Sequence, residues 1–216
     1  MLLYDYALSG NCYKIRLFLA VLGQGHDSVA VDFYPGQAHK HPDFLDINPA
    51  GTLPVLIDGD VKLCDSQAIL VYLARRYDPS GAWFPIDDGP VMGRVQQWLA
   101  FSARLTDTAG QARLGTMLGR PVDIEAARSA AHRALRELEA HLTEREFDGS
   151  RFLVTDHPTV ADIACFPYAA LSPDGGIEHD EYPALRRWLL EMRRLPGFIV
   201  MPGIPPLHDR TGNDAA

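Results

Sequence analysis

The sequence predicts two structural classes in one chain: a small α/β domain with a mixed sheet, then an all-α domain. Three observations carry this. Residues 1–78 alternate strand-like runs with helix-like periodicity, and residues 79–90 form a proline- and glycine-rich linker. Beyond that linker, over residues 91–216, no strand pattern survives. A chain of 216 residues has the length for one large domain or two small ones with a proper core.

Met1 to Asp5 is a short apolar run suited to a buried strand. Asn11 to Leu22 carries Ile15, Leu17, Phe18, Leu19 and Leu22 at helical spacing, and Gly23 and Gly25 stop it. Ser28 to Phe33 alternates apolar and polar residues as a second strand. Asp43 to Asn48 fits a short helix before Pro49 and Gly51. Val55–Ile57 and Val61–Leu63 flank Asp58-Gly59-Asp60, a tight hairpin signal. Asp65-Ser66 then precedes a helix with Ile69, Leu70, Tyr72 and Leu73 on its apolar positions. The predicted order is β-α-β-α-β-β-α.

After the linker, Met92 to about Met117 reads as helix. Asp123 to Phe147 places Ile124, Ala127, Ala131, Leu135, Leu138 and Leu142 in steps of three and four, an amphipathic helix. Thr159-x-x-Asp162 has the form of a capping box at the head of an apolar helix. Tyr182 to Arg194 gives a last helix, and a proline-rich polar tail starts at about residue 202.

The bulk numbers exclude several classes. A net charge of −8 argues against a nucleic-acid partner, which calls for a basic face. No apolar stretch approaches the roughly 18 residues of a membrane helix, and the N-terminus lacks the pattern of a secretory signal, so a cytoplasmic location is the expectation. Cys12, Cys64 and Cys165 are too few and scattered for a disulfide framework or a zinc site, and the histidines show no ligand spacing. No metal is expected.

Three motifs carry chemistry. Ser9-Gly10-Asn11-Cys12 follows the first strand and opens a helix, where the thioredoxin-like redox fold keeps its C-x-x-C. A helix N-terminus offers free N–H groups and about half a positive charge, which stabilises a thiolate. With Ser9 at the first cysteine's position, dithiol exchange cannot run. A hydroxyl placed to donate to a ligand's thiolate remains, against the competing reading that Ser9 or Asn11 only caps the helix. Leu53-Pro54 enters a strand, where a cis bond would turn the Leu53 backbone toward an extended peptide and a trans bond would make a plain strand start. At the next helix start, Ser66 would hold a carboxylate and Asp65 an ammonium, or the pair would serve as an ordinary N-cap.

Together the order, spacing and two-part plan resemble the glutathione transferase family, near its bacterial and theta- or delta-like branches, over nearly the whole chain. The resemblance implies a thioredoxin-like first domain and an α-domain that forms the second-substrate pocket. Ser9-x-x-Cys12 is similar to the family's catalytic serine motif, Leu53-Pro54 to its cis-proline, Asp65-Ser66 to its γ-glutamyl-binding pair, and Thr159-x-x-Asp162 to its α-domain capping box. It implies glutathione as co-substrate, with Lys40 (or His39 or Gln37) for the glycyl carboxylate, and a small electrophile as second substrate. It also implies a homodimer and a role in detoxification. Asn11 resembles the asparagine of bacterial relatives that act as glutathione-dependent peroxidases or disulfide reductases, which is the alternative activity. A non-catalytic binding module of the same fold is the third reading. Tyr4, Tyr6 and Tyr13 are candidates for the tyrosine role of other classes. Trp98, Arg104 and Thr108 are candidates to line the pocket, with core packing or a surface position as the alternative. Cys12 reads as a buried helix residue, and Lys14 as a solvated or dimer-facing one.

Overall fold

The structure, a computed structural model, describes residues 1–204. Strands β1 (Leu2–Asp5), β2 (Asp27–Ala30), β3 (Val55–Asp58) and β4 (Val61–Leu63) form one mixed sheet in the order β2-β1-β3-β4. β1 runs parallel to β2 and antiparallel to β3, and β3 turns back on β4. Gly59, at φ 58°, makes that two-residue turn possible. β2 is an edge strand exposed along its whole length, shorter than the predicted Ser28–Phe33.

Helix α1 (Gly10–Val21) crosses from β1 to β2 and buries Tyr13, Ile15, Leu17, Phe18 and Leu19. A single turn, α2 (Pro42–Leu45), packs Phe44 with Val31 and Val55 in a small second core. Helix α3 (Ser66–Tyr77) returns over the sheet, where Tyr72 and Tyr77 both donate to the Asp58 carboxylate at the hairpin.

The helical part begins with α4 (Gly89–Leu105), capped by Asp88, which accepts from the Val91 N–H at 2.9 Å. A π turn at Thr106–Gly110 interrupts the helix predicted over Met92–Met117, and α5 (Gln111–Leu118) follows and ends at Gly119. Next come α6 (Ile124–Phe147), α7 (Val160–Ala170) and α8 (Pro183–Arg193). α7 is apolar on nearly every side, so it becomes the central helix and packs against α1, α3 and α4. One continuous core joins the sheet side to the helices through this contact. The Thr159–Asp162 capping box forms as the sequence spacing predicts. The course expected for the tail lies mostly outside the described residues.

Lys14 corrects the sequence reading. It is fully buried, because α1 packs against both α7 and α3. Its Nζ has no hydrogen-bond partner among the described residues and lies 5.6 Å from the centre of the Tyr168 ring.

Candidate active site

A cavity of about 360 Å³ opens between the β1–α1 turn, the loop before β3, and the π turn with α5. Ser9, Asn11, Lys40 and Leu53 all line it, so residues 44 positions apart in the chain meet at one site. A larger cavity of about 540 Å³ lies between α6 and α8, away from these residues.

Ser9 is the N-cap of α1. Its Oγ accepts from the Cys12 N–H at 3.2 Å, and its own N–H donates to the Tyr6 carbonyl at 2.9 Å. Accepting one bond uses a lone pair and leaves the hydroxyl proton to donate. Capping and donation to a ligand are therefore compatible in one side chain. Cys12 is fully buried, and burial pushes its thiol up to about 12, with the Ser9 hydroxyl acting in the opposite direction. Such a thiol stays protonated near neutral pH and is a poor nucleophile.

Asn11 is oriented from the helical side. The Thr106 hydroxyl lies 3.4 Å from Asn11 Oδ1 and 3.1 Å from the Ser102 carbonyl. Among the described residues the Asn11 NH₂ makes no hydrogen bond, so it can donate to a ligand. The same patch of α4 reaches α3, because Gln67 Nε2 donates to Ser102 Oγ at 3.2 Å and Ser66 Oγ donates to Gln67 Oε1 at 2.7 Å. π turns recur at functional sites because they re-aim side chains. This one brings Thr106 and Gly110 to the cavity.

The Leu53–Pro54 bond is cis. Among the described residues, neither the N–H nor the C=O of Leu53 makes a hydrogen bond, so both can pair with an extended ligand. Lys40 Nζ donates to the Gly51 carbonyl at 3.0 Å. His39, 3% exposed, is stacked under Phe33 at 4.2 Å, and Nδ1 has no partner among the described residues. Burial, with the nearby Lys40 and Arg120 cations, pushes its imidazole below the usual range.

Two family models match the chain. They are the glutathione S-transferase N-terminal domain over residues 3–81 and the C-terminal domain over residues 121–191. The chain belongs to the glutathione S-transferase family. It is 31% identical over 210 residues to the glutathione S-transferase-like protein tpcF of Aspergillus fumigatus, covering 87% of this chain and 88% of that one. Among solved structures, a possible glutathione S-transferase from Rhodopseudomonas palustris superposes with a TM-score of 0.81 at 29% identity, covering 93% and 97% of the two chains. Yeast Ure2p in complex with glutathione superposes with a TM-score of 0.80 at 27% identity, over 91% and 95%.

Within this transferase fold, the remaining sequence candidates divide. Asp65 caps α3, its carboxylate accepting from the Ala68 N–H at 2.9 Å, and Ser66 is 3% exposed at the first turn. Neither they nor Pro54 lines the cavity, and Gln37 lies outside it. Tyr6 lines the cavity, whereas Tyr13 is buried with its hydroxyl on the Ile199 carbonyl, and Tyr4 packs against Phe44. Trp98 packs in the core, Arg104 pairs with exposed Glu137, and Thr108 bonds back to Arg104. None of these three reaches the cavity.

The helical wall is instead built by Thr106, Arg113, Met117, Arg120 and Tyr168, all missed from sequence. The Tyr168 ring packs so closely that a Cβ on Gly10 or Gly110 would meet it at 2.8 or 2.9 Å. Arg113 ties α5 to the β1–α1 turn. Its Nη1 donates to the Leu8 carbonyl at 2.6 Å, and its Nε bonds Asp174 at 2.9 Å. The only available signal was the helical stretch itself, and it gives no phase across a π turn.

Proposed function

We propose that the protein is a glutathione transferase in which Ser9 activates the thiol of glutathione by hydrogen bonding and Asn11 supplies a second donor. The observation that carries this is the Ser9 hydroxyl at the N-terminus of α1, on a cavity that also presents the unpaired Leu53 backbone. In this reading Leu53 pairs with the cysteinyl unit like an added strand. Lys40 takes the glycyl carboxylate. Ser66 and the α3 N-terminus take the γ-glutamyl carboxylate, and Asp65 takes the ammonium.

A free thiol titrates near 8.5, so lowering it below about 7 requires roughly 2 kcal/mol. One charge-assisted hydrogen bond with a helix dipole supplies that much. The thiol proton leaves to solvent, and the thiolate forms the new carbon–sulfur bond. With an aryl halide, the halide departs with the bonding pair.

In a Ser9→Ala variant, kcat/KM with 1-chloro-2,4-dinitrobenzene is expected to fall by about 10²-fold, the scale for loss of an oxyanion-type donor. Glutathione affinity should change little. Asn11→Ala should lose less. If Ser9→Ala keeps full activity and Asn11→Ala loses it, the roles are reversed. Activity confined to dialkyl disulfides or hydroperoxides would replace the transferase reading with the reductase one. The likeness to Ure2p, whose solved fragment is described as a nitrogen regulation fragment, favours a second reading as a glutathione-binding regulator. Glutathione binding without conjugation of any electrophile would support it.

A further inference from the structure

Although the chain is net negative, its cavity is not. Arg113, Arg120 and Lys40 line it with the imidazole of His39, and among the described residues no Asp or Glu does. Glutathione, bound as proposed above, uses Lys40 for its one carboxylate on this side. That leaves the Arg120 guanidinium and the one unpartnered nitrogen of Arg113, whose other nitrogens are engaged.

They differ in how they are held. Arg113 is a buried anchor, its side chain 6% exposed. Nε is on Asp174 and Nη1 on the Leu8 carbonyl, while Nη2 has no partner among the described residues. An unpaired buried N–H donor is costly unless a ligand meets it. Arg120 follows the glycine that ends α5, makes no ion pair among the described residues, and reaches to 5.8 Å from the centre of the Phe33 ring across the cavity. Beside the two arginines stand Leu114, Leu118 and the 44%-exposed Met117, an apolar patch facing the same space.

We infer that the electrophile is an anion, with an apolar body against Leu114, Met117 and Leu118 and a carboxylate held by Arg120 with Arg113 Nη2 behind it. This rests on the transferase reading and names its second substrate class. A guanidinium matches a carboxylate with two parallel hydrogen bonds. Arg120 is itself exposed, so the pair gains its strength from the bidentate geometry and from the buried Arg113 beside it.

The test compares 4-chloro-3-nitrobenzoate with 4-chloro-3-nitrobenzamide, each enzymatic kcat/KM divided by the uncatalysed rate with glutathione. In both, the glutathione sulfur bonds to the ring carbon, chloride leaves with the electron pair, and the thiol proton goes to buffer. The benzoate is expected to be favoured by about tenfold or more, the scale of one charge-assisted bond. The preference should collapse toward parity in Arg120→Gln and recover in part in Arg120→Lys. Parity in the unmodified protein, or a preference unchanged in Arg120→Gln, overturns the inference and leaves the transferase reading standing. If neither probe nor 1-chloro-2,4-dinitrobenzene is conjugated by protein that still shows a glutathione-dependent thermal shift, the transferase reading fails and takes this inference with it.

Discussion

Asp162 and Lys14 are both fully buried charges packed against or within α7, and the fold treats them in opposite ways. The Asp162 carboxylate accepts four bonds: from the Thr159 N–H at 2.9 Å, the Thr159 hydroxyl at 3.2 Å, the Leu153 N–H at 3.0 Å and Trp188 Nε1 at 3.0 Å. Burial pushes its carboxyl up, and those donors pull it back. Among the described residues the Lys14 ammonium faces the Tyr168 ring and no hydrogen-bond partner, and burial pushes its pKa down to about 8. A saturated buried charge ties segments together, whereas an unsaturated one subtracts from stability. Asp162 fastens the 150s loop and α8 to the head of α7. Lys14 lies 5.6 Å from the ring centre of Tyr168, which lines the cavity.

The largest expected effect is Asp162→Ala. It strands three N–H donors in the interior and should cost about 3–5 kcal/mol in urea unfolding. A loss below 1 kcal/mol would mean that the network is dispensable.

Lys14→Met has the opposite sign. At pH 7 the folded state carries the ammonium at a penalty, and a thioether of similar shape should raise stability by about 1–3 kcal/mol. The pH dependence follows from the lowered pKa. Between about 8 and the ordinary lysine value near 10.4, the unfolded chain binds the proton that the folded one has lost. Stability of the unmodified protein therefore gains from this group as pH rises through that window. The advantage of Lys14→Met should shrink over the same range. Unfolding midpoints of both proteins at several pH values read this directly, and a constant difference would show that Lys14 does not titrate there.

The smallest effect separates satisfaction from function. Thr106→Val removes the hydroxyl facing Asn11, at a half-buried position. Stability should move by about 0.5–1.5 kcal/mol, the net worth of one hydrogen bond. Conjugation should fall a few-fold, more in kcat than in KM. An equal fall in an Asn11→Ala background would place Thr106 outside Asn11's role.

The two walls of the cavity were unequally legible. Ser9, Asn11, Leu53 and Lys40 lie within or beside turns whose chemistry is local, and the structure brings them to one cavity. Arg113, Arg120 and Tyr168 carry no motif. An arginine on a helix looks the same in sequence whether it is solvated or, like Arg113, bridges to Leu8 over a separation of 105 residues. The π turn adds to the difficulty, since a five-residue hydrogen-bonded turn shifts the phase of everything after it. Trp98, Arg104 and Thr108 fall to core and surface rather than to that wall, because helical spacing alone does not reveal which face α7 and α6 cover.

By itself, the sequence determined the element order, the switch from sheet to helices, and the caps at Ser9, Asp65 and Thr159–Asp162. Those are set by residues within three positions of one another, so a linear reading reaches them. Only the tertiary structure decided that Lys14 is buried, that the cavity is cationic, and that Thr106 lies beside Asn11. Each of these depends on which distant helix packs where, and burial and hydrogen-bond partners are properties of that packing rather than of the chain.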